Sequence, residues 1–334
     1  MTLTLAMTAC GPVADDLDSE RPTDRFFEFA LLGDNPYTQA NVGRFETLIA
    51  DVNARPDVQW VIHLGDTKGG AAPCTDEMMV SRFELYRGFS APFVITPGDN
   101  DWYDCSQTGS DEYERLEFFR ELYYPRPRAT AIGAPPLELA VQSDAAQFEE
   151  FVENVRWVRD GVVFATIHLV VLTRPSDDPS LDQRRLAAAL AWIDETFRVA
   201  LEKGADAVFL ATQADPWPVS GLPLLVGALC ERCLEPRPGL EELYPALVRH
   251  ARAFPGPVVL AVGDTHVFRV DKPLYDDEGQ LVENFTRAEA FGHPDVYWVR
   301  VRVDPGEAEA FTFHREIVAA GERSQPGSPS SETR

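Results

Sequence analysis

The sequence predicts an α/β fold built on a largely parallel sheet. Three observations lead there. The first hundred residues alternate short apolar runs with helical stretches, as a βαβαβ unit does. Four apolar runs end in the same Gly-Asp pair. No stretch carries a longer repeat of solenoid type.

Phe26–Leu32 reads as a buried strand, a short apolar run bounded by Gly-Asp. A helix is expected over Thr38–Val52, a second strand over Val58–Leu64, a helix over Thr75–Phe89 and a third strand over Phe93–Thr96. Asp111–Leu122 reads as a charged helix and the Pro-rich Pro125–Pro136 as a surface loop. Val155–Arg159 and Val162–Leu172 form a hairpin pattern turning at Asp160-Gly161. Leu181–Leu201 is a long Ala- and Leu-rich helical stretch stopped by Gly204. Strands are then expected at Ala207–Ala211, Val258–Val262, Val267–Val270, Val296–Val303 and Ala310–Arg315.

The chain of 334 residues is 45% hydrophobic, enough for one large core, and no linker divides it. Its formal net charge of -24 argues against nucleic-acid binding through a basic surface. No apolar run approaches the roughly 20 residues of a membrane helix. The opening "MTLTLAMTAC" is apolar, ends in small residues and stops at Cys10, although no Lys or Arg precedes that cysteine. It is similar to the end of a bacterial lipoprotein signal, whose cysteine would carry a lipid anchor; a frayed terminus with an incidental cysteine is the plainer alternative. The expected organisation is a signal remnant and tether over 1–24, one domain over 25–318 and a disordered Ser/Pro/Gly-rich tail over 319–334. Localisation would be exported, in the periplasm or cell envelope. Four further cysteines fit two disulfides in an oxidising compartment: Cys230 with Cys233 locally, against half a zinc site or a redox pair, and Cys74 with Cys105 between two Gly-Asp loops.

The four runs are "LLGDNPY", "IHLGDTKGG", "TPGDNDW" and "AVGDTHVF". Each sets an aspartate just past a strand: Asp34, Asp66, Asp99 and Asp264. Ligands of open α/β sheets sit beyond the carboxyl ends of the strands. Carboxylates converging there repel one another, and cations relieve that repulsion.

The order of these loops resembles the calcineurin-like metallophosphoesterases, which carry Gly-Asp, Gly-Asp, Gly-Asn-His-Asp, a later His and Gly-His-x-His. The match runs from about Phe26 to Phe268. The resemblance implies two mixed sheets packed face to face with helices outside, an αββα sandwich, and hydrolysis of a phosphate mono- or diester by water activated on two metals. It implies that Asp34, Asp66 and His266 hold one ion and Asp66, Asp99, Gln213 and Asp264 the other. The family's Asp-x-His position in the first loop is Pro36 here, and Tyr37 would stand in as a phenolate ligand, as a tyrosine from another loop does in purple acid phosphatases. Asn100 falls where the family has its catalytic histidine and would orient substrate or stabilise the developing charge. Gln213 and Asp264 replace metal-binding histidines. Four carboxylates neutralise two dications, and the oxygen-rich shell favours Mn, Mg, Ca or Fe over Zn.

His168 is a further candidate for contact with substrate, against the plainer reading of a satisfied core histidine. Lys68, just after Asp66, is a candidate for steering phosphate, against the plainer reading of an exposed lysine, and His63 is expected packed in the sheet. Arg269 balances the acidic site or makes a surface pair, and "DDEGQ" at Asp276–Gln280 is expected to be a hairpin turn. P-loop, dinucleotide, zincin and serine-hydrolase signatures are absent. The rival reading is a catalytically degenerate protein of the same fold, serving as a metal-binding or envelope interaction protein.

Overall fold

A computed structural model describes residues 26–174, 176–217, 237 and 239–318. The Cys10 anchor, the tether, the 319–334 tail and the Cys230–Cys233 pair lie outside the described residues.

The chain starts as the apolar runs dictate. Strand β1 (Phe27–Leu32), helix α1 (Gln39–Asn53), β2 (Val58–His63), α2 (Asp76–Tyr86) and β3 (Phe93–Ile95) form the βαβαβ unit, with β1, β2 and β3 parallel. Thr38 and Thr75 cap the two helices, each side chain accepting a first-turn backbone N–H. Helix α3 (Glu112–Tyr123) follows, capped by Asp111.

The second sheet is assembled from β4 (Ala140–Val141), the hairpin β5 (Val155–Arg159) and β6 (Val162–Thr166), and then the parallel β7 (Ala207–Ala211) and β8 (Val258–Val262). Helix α4 (Pro179–Lys203) joins β6 to β7 and ends at left-handed Gly204. Helix α5 (Leu243–Ala253), β9 (Arg269–Asp271), β10 (Phe285–Glu289), β11 (Trp298–Val303) and β12 (Phe311–Glu316) complete the order. One sheet runs β12-β11-β1-β2-β3, the other β4-β5-β6-β7-β8-β10-β9.

The burial pattern explains the layers. In β6, β7 and β8 every residue is buried, yet successive residues serve different cores. Val162, Phe164, Phe209 and Ala261 face the interior shared with Phe29 and Trp60 of the first sheet. Val163, Val208, Leu210 and Leu260 face Ile193 and Phe197 of α4 and Leu243 and Leu247 of α5. Aromatic rings bridge the sheets, with Phe29 lying 5.6 Å from Phe164 and 5.0 Å from Phe209. Helix α1 covers the outer face of the first sheet through Phe45, whose ring lies 6.5 Å from that of His63. The result is the expected α/β sandwich of two sheets between helices.

Three expectations shift. The strand expected over Val162–Leu172 ends at Thr166. Strand β10 and helix α5 appear where no element was expected. In β10 (Phe-Thr-Arg-Ala-Glu) the buried Arg287 and Glu289 break the apolar signal, because partners elsewhere neutralise them.

Candidate functional site

The site is built at the carboxyl ends of the parallel strands, where the two sheets share an edge. Asp34 follows β1, Asp66 follows β2, Asp99 lies past β3, Gln213 follows β7, and Asp264 and His266 follow β8. Backbone bonds lock the loops together: Asp34 N–H donates to Gly65 O at 3.0 Å, Gly263 N–H to Gln213 O at 2.9 Å and His293 N–H to Asp34 O at 3.0 Å.

The repeated glycine has a steric purpose. A Cβ on Gly98 would stand 2.0 Å from Asp66 Oδ1, and one on Gly263 would stand 2.5 Å from Asp34 Oδ2. The glycine of one loop thus makes room for the aspartate of another. Asp34, Asp66, Asp264 and His266 all adopt left-handed backbone, at φ of 51°, 56°, 73° and 66°. Left-handed non-glycine residues cost energy and cluster where geometry serves function. Asp160, in the β5–β6 turn, is the remaining such residue among those described.

All seven sequence-predicted metal residues converge. The Tyr37 hydroxyl donates to Asp66 Oδ2 at 3.0 Å and lies 3.5 Å from Asp34 Oδ1 and 3.2 Å from His266 Nε2. Gln213 Nε2 lies 3.4 Å from Asp66 Oδ2, 3.3 Å from Asp99 Oδ1 and 3.4 Å from Asp264 Oδ1. Asn100 is committed to the cluster: its N–H reaches Asp66 Oδ1 at 3.0 Å, and its Nδ2 reaches Asp66 Oδ2 at 2.7 Å and the Tyr37 hydroxyl at 3.1 Å. Its amide therefore fixes Asp66 and Tyr37.

His168 makes none of these contacts. Its ring is fully buried, with Nδ1 2.7 Å from Glu153 and the Trp102 ring 5.6 Å away in a T-shaped contact. The structure places it in the core, held at Nδ1, while Nε2 is buried without a hydrogen-bond partner among the described residues. Lys68 corrects another expectation: it is buried, within the field of Asp101 and Asp66. His63 is packed as expected and also ties two loops, with Nε2 3.1 Å from Asn35 O and Nδ1 accepting Gly65 N–H at 3.1 Å. Arg269 pairs with Asp215 and Glu289. Asp276–Gln280 is a turn, with Asp276 Oδ1 accepting from Glu278 and Gln280 N–H.

Two functional residues carried too weak a signal to be assigned. Asp101 binds the second and third loops together, accepting Gly98, Asp66 and Thr67 N–H, each at 2.8 Å, and the Thr67 hydroxyl at 2.7 Å. The extra carboxylate in "GDND" was its only trace. Arg237 ion-pairs with Asp264 from 27 residues away, in a Pro-flanked stretch without a motif. The Cys74–Cys105 disulfide is present, with Cα atoms 5.5 Å apart, and staples the loop after Asp66 to the loop of Asp99 and Asn100.

The electrostatics are those of concentrated negative charge. Burial first, then the neighbouring Asp99 and Asp34, push the Asp66 carboxyl well above its ordinary value. Burial and the charges of Asp264 and Asp104 push Asp99 up to about 8. Burial also raises Asp34, although His266 opposes it. Burial works against charge on His266, but its bond to Asp34, the charges of Asp34 and Asp264 and the His293 carbonyl together outweigh that and hold its pKa above the usual value.

Does a metal ion fit? Among the described residues no three His, Cys, Asp or Glu side chains form a ready-made cage. Tyr37, Gln213 and Arg237 stand among the carboxylates instead. The donor chemistry nevertheless fits a hard cation: four carboxylates, an imidazole, a phenol and an amide. Two buried oxygens in the same cluster, Asp34 Oδ2 and Gln213 Oε1, have no hydrogen-bond partner among the described residues. Buried polar atoms of that kind mark a missing partner.

The fold and site together define an α/β sandwich with an acidic centre at the strand ends. No family model matches the chain, and no curated protein matches it. Among solved structures it is similar to GAP50, the anchor in the inner membrane complex of Plasmodium, at 13% identity and a TM-score of 0.47 over 89% of this chain and 90% of that one. It is similar to TT1561 of Thermus thermophilus, at 8% identity and a TM-score of 0.46 over 88% of this chain and 100% of that one. It is also similar to the 5'-nucleotidase from Candida albicans, at 13% identity and a TM-score of 0.44 over 86% of this chain and 50% of that one. At such scores the reading of the site rests on its own geometry.

Proposed function

We propose that the chain is a cation-dependent phosphoester hydrolase. The observation that carries this reading is the convergence of Asp66, Asp99 and Asp264 on one amide nitrogen, with two oxygens of the cluster left unpartnered. Such a cluster gains most from a bound cation. Asp34, Asp66 and His266, with Tyr37, would hold one ion, and Asp66, Asp99, Asp264 and Gln213 suit a second. When bound, Mn, Mg, Ca or Fe supplies Lewis acidity toward phosphoryl oxygens and acidifies water for in-line attack. The chain's own groups do the positioning. Asn100 and Tyr37 fix Asp66, Asp101 fixes the loops, and the His293 carbonyl 2.7 Å from Nδ1 orients the His266 ring.

The test uses the metal-stripped full chain, an aryl phosphate monoester and a bis-aryl diester, and added Mn, Mg, Ca, Fe or Zn. Turnover with at least one ion is expected, along with its loss in Asp66→Ala. Failure with every ion overturns the hydrolase reading.

A second reading has its own observation. The Tyr37 hydroxyl and the Arg237 guanidinium stand where cations would, as in a catalytically silent protein of the same fold. Such a chain would bind no metal and turn over neither ester. Export to the periplasm or envelope, with a lipid on Cys10, is part of the proposal. The Cys74–Cys105 bridge supports it, because such bridges persist in oxidising compartments. Mass spectrometry of the membrane fraction should find diacylglycerol on Cys10; an unmodified cytosolic product refutes that part.

A further inference from the structure

We infer that Arg237 takes the place of the second cation, so that the chain binds a single metal ion and anchors the substrate's phosphoryl oxygens through this guanidinium. The inference deepens the proposed hydrolase reading and rests on it. Arg237 Nη1 donates to Asp264 Oδ2 and lies 3.3 Å from the Asp215 carbonyl. Asp264 Oδ1, the other oxygen of that carboxylate, is 3.4 Å from the Gln213 amide that also touches Asp66 and Asp99. The guanidinium is therefore linked to Asp66 through the Asp264 carboxylate and the Gln213 amide, on the side expected to hold the second ion. Both partners are largely sheltered, with side-chain exposures of 20% and 15%, so their charges are screened less than at an open surface.

The sequence departs from its resemblance on this same side. Gln213 and Asp264 stand where metal-binding histidines were expected. Substituting a carboxylate for a neutral imidazole adds a negative charge, and a fixed arginine answers it without a second metal. A guanidinium also brings what a metal would have offered substrate: permanent positive charge and a planar fork matched to phosphate oxygens. Its side-chain contacts with the described residues run through Nη1.

The other side keeps the donors of an ion site. Asp34, Asp66 and His266 surround the Tyr37 hydroxyl at 3.5, 3.0 and 3.2 Å. No fixed cation of the Arg237 kind faces them in those contacts. One strong site and one arginine-filled site follow.

The test is Mn2+ stoichiometry on the metal-stripped full chain by calorimetry, with electron paramagnetic resonance as a second readout and inorganic phosphate as the anion probe. The native chain should bind one Mn2+ and give the six-line signal of an isolated ion. Arg237→Ala should admit a second Mn2+, give a spin-coupled spectrum, and weaken phosphate binding by about tenfold or more. Arg237→Lys should keep one ion and most of the phosphate affinity, which also guards against a folding defect. Two ions in the native chain overturn the inference and leave the hydrolase reading standing. No ion in the native chain but binding in Arg237→Ala supports the placement of Arg237 and overturns cation dependence. No ion in either overturns both.

Discussion

Asp99 and Glu153 are both buried carboxylates, and their surroundings drive them in opposite directions. Asp99 stands among Asp66, Asp104 and Asp264 and is pushed up to about 8, by burial first and then by the charges of Asp264 and Asp104, against a hydrogen bond with Asp66. Glu153 is fully buried, yet its pKa is lowered to about 2. Burial works against its charge too, but the Arg120 guanidinium, donating at 2.9 and 2.6 Å, and His168 at 2.7 Å outweigh it. One carboxylate has its positive partners and the other is short of them. A paired carboxylate serves stability, and an unanswered cluster is poised to bind.

The sharpest way to break this comparison is Glu153→Ala. It leaves the buried Arg120 with Glu117 alone and His168 Nδ1 without its partner, and should cost about 3–5 kcal/mol, read from urea midpoints. Mn2+ stoichiometry of the protein that still folds should be unchanged. A loss below about 1 kcal/mol would mean that the pair is not the buried anchor described.

Removing the staple should cost somewhat less. Cys74→Ser with Cys105→Ser opens a link spanning 31 residues of sequence, and about 2–4 kcal/mol should go with it. Because the linked loops carry Asp66 and Asp99, Mn2+ affinity should also fall. Unchanged affinity would show that Asp101 alone holds the loops.

Asp101→Asn probes that second fastener. An amide cannot accept all four donors that the carboxylate accepts. A loss of about 1–3 kcal/mol is expected in thermal or urea unfolding. No loss would place the loop order elsewhere.

A pH slope of opposite sign separates the two regions. The folded pKa of Asp99, raised from 3.8 to about 8, contributes stability below the unfolded value that is lost as pH rises through about 8. His168, beside Glu153 and lowered by burial from 6.5 to about 4, contributes stability above 6.5 that is lost as pH falls through about 4. Metal-free Asp99→Asn should therefore gain on the native chain between pH 5 and 8 in urea midpoints, a range bracketed by these values. An unchanged slope would remove Asp99 from the set of strained charges.

Much of this was legible in the sequence for a physical reason. An apolar run that stops at Gly-Asp encodes locally both a buried strand and the turn that ends it. Asp34, Asp66, Asp99 and Asp264 could therefore be placed at strand ends, and Gly204 at the end of α4. Cys74 and Cys105 could be matched because each follows such a loop.

Tertiary structure decided what depends on partners distant in sequence. Lys68 is buried because acidic loops surround it, and β10 holds Arg287 and Glu289 because Asp215, Asp271 and Arg269 neutralise them. His168 belongs to Glu153 and not to the acidic centre. Arg237 reaches Asp264 through a pairing that no local pattern carries. The sequence by itself determined where negative charge gathers, because strand ends and turns are written in adjacent residues. Only the tertiary structure decided which charges are answered and which wait for a ligand, because charge compensation acts through space.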